Sequence, residues 1–305
     1  RHKRIYKENI KMEKKELIMK TKYFFRFIPD EIYVKAYFRL KVKRKLNLKR
    51  PETLNEKLQW MKFNYRKPFF SLVSDKYAVR KYIQEKVGEQ YLIPLIGRYE
   101  KFDDINFEEL PNQFIIKCNH DSGGYYICRD KSKLDIKAAK KKINSHLKKN
   151  FYYIGREWQY KNIKPCIVVE KLMLDENNEL PSDYKITCFN GKVDNIMVCK
   201  DRFSKGGVKF YFFDKKWNFL RYNYGDEELP KEFSLKKPQN LEEMIDVAEK
   251  LAKDFIYARI DLYEIKGKIY FGEITLSPNS GFDTDITYNT DKIFGKKLII
   301  DENTK

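Results

Sequence analysis

Histidine and cysteine are scarce in this chain, which has three His and five Cys in 305 residues. No histidine stands in a recognisable Ser–His–Asp or Cys–His arrangement, so covalent catalysis by an activated serine or cysteine finds no support. The cysteines, Cys118, Cys128, Cys166, Cys188 and Cys199, are odd in number, form no C-x-x-C pair and sit mostly in apolar runs. That usage argues against a disulfide framework or a zinc site and reads as buried thiols in a reducing cytoplasm. Cys118 and His120 are spaced to share a metal ion, but no second pair follows them. No apolar run approaches the ~18 residues of a membrane-spanning helix. The opening stretch, RHKRIYKENIKMEKKELIMK, has no apolar core of the secretory type.

Positive charge is abundant instead. The net charge is +19, and residues 1–50 hold 18 Lys and Arg against five Asp and Glu, which is +13 of that total. Such an excess fits polyanionic neighbours: nucleic acid, anionic lipid or an acidic polysaccharide. Hydrophobic content of 42% and aromatic content of 15% indicate a folded chain with one large domain or two to three interleaved subdomains. Residues 1–50 read as basic helices. Pro29-Asp30 starts one of them, with Ile32, Ala36 and Leu40 beside Tyr33 and Tyr37 at helical spacing. Its apolar face suits the body of the protein first and an anionic membrane surface second.

From Pro51 the texture changes. Thr53-x-x-Glu56 is a capping box opening a helix with Leu54, Leu58 and Met61 on one side. Ser74 and Asp75 cap the next helix, which Gly88 ends, and capping is the simplest role for Asp75. The strand Phe114–Cys118 carries Lys117 in an otherwise apolar run, a costly place for a charge unless an anion meets it. Asn119-His120-Asp121-Ser122-Gly123-Gly124 follows, a loop whose backbone N–H groups can close on phosphates. The strand–turn–strand setting is neither a Walker loop nor a dinucleotide fingerprint. A helix is expected over 134–147 and a buried strand over Cys166–Glu170. Asp183–Phe189, Asn190-Gly191 and Lys192–Lys200 form a hairpin whose alternation puts Asp183, Lys185 and Thr187 on one face. Lys200 and Arg202 end its return strand. Asn240 caps a core helix with Glu243 three residues on. That helix leads to two late strands, in which Arg259 and Asp261 share a face and Glu273 ends the second strand, so that two carboxylates converge. Two hard oxygen donors with open positions are what Mg²⁺ takes when phosphates supply the rest. Residues 282–305 read as a loop and a polar tail. The loop includes Asp283-Thr284-Asp285, a D-x-D that supports an alternative reading as a metal-dependent glycosyltransferase.

The segments PETLNEKLQWMKF, SDKYAVRKYI, FIIKCNHDSGG, DYKITCFNGK and YFGEITLSPNSG together resemble the TupA-like (teichuronopeptide-biosynthesis-type) ATP-grasp family of bacterial surface-polysaccharide loci. The likeness covers roughly residues 50–285. It implies an α+β, ATP-grasp fold, in which two α+β subdomains with antiparallel sheets hold ATP between them, preceded by a basic helical N-terminal region. The expected division is 1–50 for that basic region, 51–110 for an N-terminal α/β region, 111–172 for the lid subdomain and 173–305 for the C-terminal subdomain with the metal site. By position, the resemblance places Lys117 and Lys185 on the ATP phosphates, with Asp183 beside them. Ser122, Gly123 and Gly124 fall in the lid, and Glu170, Lys171 and Leu172 in the adenine hinge. Asp261 and Glu273 are the Mg²⁺ ligands, and Thr275 stands where many members carry Asn. The implied activity is ADP-forming carboxylate–amine ligation through an acyl phosphate. Catalytic roles go to Lys185, Arg202 and Arg259, and Lys200 joins the two arginines as an anchor for an acidic acceptor. The implied partners are an acidic sugar or polysaccharide and an amine or amino acid. No nucleic acid is expected, and the location is cytoplasmic or peripheral on the inner face of the membrane.

Overall fold

The structure, a computed structural model, describes residues 17–200 and 208–300. Arg202, expected among the catalytic residues, lies outside the described residues. Helices α1 (Asp30–Val42), α2 (Leu54–Asn64), α3 (Pro68–Ser74) and α4 (Val79–Lys86) precede strands β1 (Leu95–Tyr99), β2 (Phe114–Cys118) and β3 (Tyr125–Cys128). Helices α5 (Ile136–Leu147) and α6 (Tyr152–Gly155) lead to β4 (Ile167–Lys171), β5 (Asp183–Phe189), β6 (Lys192–Lys200), β7 (Lys209–Phe213) and β8 (Phe219–Leu220). Helix α7 (Leu241–Ala252), strands β9 (Tyr257–Ile265) and β10 (Lys268–Thr275) and helix α8 (Tyr288–Lys297) complete the chain.

The strands form two antiparallel sheets, as an α+β reading requires. One has the order β1-β4-β2-β3, the other β10-β9-β5-β6-β7-β8. In the first, alternation buries Phe114, Ile116 and Cys118 with Val169 against Ala139 and Ile143 of α5. The opposite face is left for Ile115, Lys117 and Glu170. In the second, Ile186, Ile260 and Leu262 pack with Met244, Ala248 and Leu251 of α7. Leu54, Leu58, Tyr82 and Ile83 belong to that same core, so α2 to α4 are built onto the six-stranded sheet. Helix α1 adds a small cluster of its own, in which Tyr33, Val34 and Phe38 meet Phe282. No helix among the described residues is long and apolar enough to cross a membrane. All five cysteines are buried and free, and burial pushes the Cys118 and Cys188 thiols well above their usual range.

Local signals held where the chemistry is local. The capping box is present: Thr53 Oγ1 accepts from the Glu56 N–H, and the Glu56 carboxylate accepts from the Thr53 N–H at 3.1 Å. Asn190 and Gly191, at φ 50° and 75°, make the two-residue turn between β5 and β6, the left-handed pair that Asn-Gly favours. Asn240 departs from expectation. It precedes α7 but caps no N–H with its side chain; its amide donates to the Gly267 carbonyl, while Glu264 accepts the N–H groups of Gln239 and Asn240. A carboxylate from β9 has taken over the helix start.

Residues 282–305 were expected to be loop and tail, and there the structure differs. Thr287 caps α8 by accepting from the Thr290 N–H at 3.1 Å, and Phe294 and Leu298 are buried. Asp291 of this helix accepts from the Asn55 N–H at 2.9 Å. The helix has little apolar periodicity of its own; docking on α2 stabilises it. Gly295 makes the docking possible, because a Cβ there would lie 2.0 Å from the Glu52 carbonyl oxygen and 2.8 Å from Thr53 backbone atoms. Gly295→Ala is therefore expected to destabilise the protein by about 1–3 kcal/mol through overpacking, against a helix-propensity gain of ~1 kcal/mol. Urea unfolding of the variant checks this; unchanged or raised stability would refute the close approach.

Candidate functional site

The acidic hairpin is assembled by register. Lys266 and Gly267, at φ 52° and 72°, turn β9 into β10. The pairing sets Glu273 opposite Asp261 and Thr275 opposite Arg259. On the other side of β9, β5 sets Lys185 opposite Asp261 and Thr187 opposite Arg259. A bulge in β10 between Phe271 and Glu273 makes this possible. Ile269 and Phe271 are buried, and so is Ile274. Strict alternation through all three is impossible, and without the extra residue Glu273 would face the core with Phe271. Gly272 occupies the bulge, where a Cβ would lie 3.0 Å from the Asp261 carbonyl oxygen.

The side chains meet as that register dictates. Arg259 Nε and Nη2 donate to the two Asp261 oxygens at 2.7 and 2.8 Å. The same Nη2 reaches Thr275 Oγ1 at 3.1 Å and Glu273 Oε1 at 3.4 Å, and Thr275 Oγ1 donates to Glu273 at 3.2 Å. Lys185 pairs with Asp261 and lies 3.7 Å from Asp183. Asp261 is buried, whereas the Glu273 side chain is 47% exposed. Burial alone would raise the Asp261 carboxyl, but Arg259 and Lys185 outweigh it and hold it below the ordinary carboxylate range. For Arg259 burial opposes the charge, and Asp261 more than restores it. Lys185, Arg259, Asp261, Glu273, Thr275 and Asp183 are thus one constellation. Lys200 sits apart from it, donating to Ser182 Oγ at 3.0 Å.

A second ion-pair group lies on the polar face of the four-stranded sheet. Lys117 Nζ is 2.6 Å from Glu170, and Arg80 of α4 reaches the other Glu170 oxygen at 3.1 Å. The anion that the charge on β2 called for is, in this state, Glu170. Arg80 escaped the sequence reading because it looked like an ordinary solvated helix residue. Helix α4 also sends Tyr82 to the Leu251 carbonyl at 2.9 Å, so it ties the two sheets together. Of the expected hinge, Lys171 donates its N–H to the Pro94 carbonyl at 3.0 Å and its side chain is exposed, while Leu172 is buried.

The glycine-rich loop is held from below. Asp75 accepts the N–H groups of Tyr77 and Ala78, as a capping acid should, and its other oxygen takes Asn119 Nδ2 at 2.8 Å. Lys76 donates to the Asp121 carbonyl, and the Asp121 carboxylate pairs with His146 of α5. Gly124 passes beneath that carboxylate, where a Cβ would lie 2.5 Å from its oxygens. Ser122 and Gly123, the latter at φ 99°, are exposed. His120 is spent on Asn119 and the Lys149 carbonyl, and burial lowers its pKa. With both ring nitrogens engaged, it is a structural group rather than the partner of Cys118 in a metal site.

Between these groups runs a buried polar seam. Tyr160 lies within electrostatic reach of Asp121 from the loop and of Glu273 and Arg259 from the hairpin. Glu157 is buried and accepts from Ser280 Oγ at 2.7 Å. Lys62, also buried, donates to Gln59 Oε1, the Gly155 carbonyl and the Ser280 carbonyl at 2.9, 2.7 and 2.5 Å. Burial pulls the Lys62 ammonium well below the ordinary lysine range, and Glu157 pulls it back. Asn279, Ser280 and Gly281 follow one another at φ 48°, 53° and 66°, a left-handed run that non-glycine residues adopt only when their surroundings enforce it. Lys62 and Gln59 enforce it here. Nothing in the spacing of Lys62 distinguishes it from a helix-surface lysine. In the D-x-D, Asp283 takes Asn55 Oδ1 on its N–H at 2.7 Å and accepts the Asp285 N–H at 2.9 Å. Burial raises its carboxyl, so Asp283 braces the turn.

The donor set of the hairpin suits magnesium. Asp261, Glu273 and Thr275 offer only oxygen, and two carboxylates leave most positions for phosphate and water. No group of three or more His, Cys, Asp or Glu suited to a metal occurs among the described residues, so a metal held here depends on its nucleotide for ligands.

A family model described as TupA-like ATPgrasp matches residues 56–299. No curated protein matches the chain. Among solved structures, the chain is similar to a D-alanine–D-alanine ligase from Bacillus anthracis, at 19% identity and a TM-score of 0.43 over 74% of this chain and 64% of that one. It is also similar to an L-amino acid ligase from Bacillus licheniformis, at 16% identity and a TM-score of 0.44 over 83% of this chain and 56% of that one. A D-alanine–D-alanine ligase from Helicobacter pylori gives 16% and 0.41 over 81% of this chain and 69% of that one. The chain spans less than two thirds of the length of the first two. The family match, and not these distant likenesses, carries the assignment.

Proposed function

The chain belongs to the TupA-like ATP-grasp family, and on that premise we propose that it is an ADP-forming carboxylate–amine ligase acting on an acidic sugar of a bacterial capsular or cell-surface polysaccharide. The observation that supports this best is the Lys185–Asp261–Arg259–Glu273–Thr275 constellation. It sets cations against carboxylates on one sheet face, the equipment for neutralising a triphosphate.

In the proposed reaction an oxygen of the acceptor carboxylate takes the γ-phosphoryl group of ATP, and ADP leaves. The amine nitrogen then attacks the acyl carbon. Phosphate departs with the electrons of the broken C–O bond, and the nitrogen loses a proton. Asp261, Glu273 and Thr275 would hold Mg²⁺, which supplies charge neutralisation at the phosphates. Arg259 and Lys185 bear on the same phosphoryl oxygens. Their present partners are carboxylates, so an incoming phosphate replaces one anion by another and leaves no cation bare. Lys117 answers from the lid sheet, and Ser122 to Gly124 close over the nucleotide with their N–H groups. Residues 17–50 add a peripheral contact with anionic membrane: Leu17, Phe24 and Phe27 are exposed at 64, 70 and 78% in a strongly basic stretch.

The test is product analysis. Protein incubated with ATP, Mg²⁺, a uronate acceptor and a panel of amines should release ADP and phosphate in equal amounts, only when acceptor and amine are both present. AMP with pyrophosphate, or no nucleotide turnover across the panel, overturns the assignment.

A further inference from the structure

Beside the hairpin lies a cavity of about 300 Å³ whose walls include Lys22, Tyr37, Lys41, Asn279, Ser280 and Asp285. It forms where α1 and the helical residues before it cross the left-handed run after β10. Its volume is at the lower end for ligand sites, and its lining is more polar than most of them. Lys22 Nζ stands 4.6 Å over the Tyr37 ring. Tyr37 meets Phe282 edge-on at 4.8 Å between ring centroids, which gives the cavity a rigid aromatic wall. Hydroxyls and an amide supply the hydrogen bonds. Two ammonium groups face one carboxylate, so the cavity favours an anion.

A short buried seam links the cavity wall to the proposed active site. Ser280 donates to Glu157, and Glu157 lies within electrostatic reach of both Lys22 and Glu273. The cavity loop begins where β10 ends, directly after Thr275. Arg259 is held by Asp261, Glu273 and Thr275 and in the proposed reaction turns to the phosphoryl oxygens. An acceptor carrying more than one carboxylate therefore needs further cations, and Lys22 and Lys41 provide them.

Resting on the ligase reading, we propose that this cavity is a subsite for a second acidic sugar unit of a polymeric acceptor, the neighbour of the unit that reacts. The unit lies along the Tyr37 wall, its carboxylate meets Lys22 and Lys41, and its hydroxyls bond Asn279, Ser280 and Asp285. The enzyme then prefers an oligouronate to a single uronic acid.

Calorimetric titration of the whole chain with trigalacturonate and with a β-1,4-linked triglucuronate, without nucleotide, tests this. Wild type should bind at least one of them, more tightly than galacturonate or glucuronate alone. The double variant Lys22→Gln/Lys41→Gln should bind it about tenfold more weakly, as for one half-exposed and one exposed charge pair. Its thermal unfolding and MgATP binding should stay unchanged. Equal binding by wild type and variant, or binding of neither oligosaccharide by wild type, overturns the subsite. If the oligouronate binds through the two lysines but no ADP appears with any amine, the ligase reading falls and the subsite stands.

Discussion

Asp261→Asn is expected to lower ATP turnover by about 10²–10³-fold or more, the usual effect of removing a group that directly supports transition-state charge. It should also weaken the fold. Asp261 is buried beneath Arg259 and Lys185, and its loss leaves two cations without their main counter-charge, at about 3–5 kcal/mol. The two consequences separate in Glu273→Gln. That side chain is 47% exposed and only 3.4 Å at its nearest from Arg259, so its removal should reduce turnover while changing stability by less than ~1 kcal/mol. Acid gives a second readout. Asp261 titrates below its unfolded value, so between the two pKa values the unfolded chain binds the extra proton. Stability rises with pH across that window: the contribution is complete above about pH 4 and is lost as pH falls through the folded value. Urea midpoints followed downward from neutral pH should fall less steeply for Asp261→Asn than for wild type. Parallel acid limbs, together with retained turnover, would sink the assignment of Asp261 as the central charge.

Lys62→Met should have the largest effect of any single change remote from the hairpin. It leaves the Gly155 and Ser280 carbonyls and Gln59 Oε1 without their shared donor, and it deprives buried Glu157 of its positive neighbour. Removing a buried cation and donor from beside a buried carboxylate costs about 3–5 kcal/mol, a fall in Tm of roughly 5–10 °C for a chain of this size. Glu157→Gln made in the Lys62→Met background should recover part of the loss, since a neutral amide no longer requires the ammonium. Strict additivity of the two changes would show that Lys62 does not offset Glu157, and a loss below about 1 kcal/mol in the single variant that it does not hold the Asn279–Gly281 run. The Ser280 carbonyl then needs another explanation for its left-handed backbone.

What was legible along the chain was what neighbours in sequence settle between themselves. The Thr53–Glu56 box, the Asn190-Gly191 turn and the placement of Arg259 with Asp261 on one face all depend on atoms a few residues apart. The charge of Lys117 in an apolar strand also announced a counter-ion, though not which one. The five motifs that resembled a family pointed to the family the chain belongs to. Helix α8 was missed because its stability comes from docking on α2 through Gly295 and Asp291, partners more than 230 residues away. Asn240 was misread because a carboxylate on another strand, Glu264, was free to replace it.

By itself, then, the sequence determined that this is an α+β chain with cationic strand residues, a pair of late carboxylates and a strongly basic beginning. Composition and short-range sterics suffice for that much. The expected meeting of Glu273 with Asp261 comes about only through a bulge at Gly272, which alternation does not predict and the tertiary structure supplies. The tertiary structure alone brought Arg80 to Glu170, Lys62 to the Ser280 carbonyl and Lys22 to the mouth of a cavity. The physical reason is the same in each case. A buried charge is placed by whichever distant partner offsets its desolvation, and no local rule of spacing names that partner.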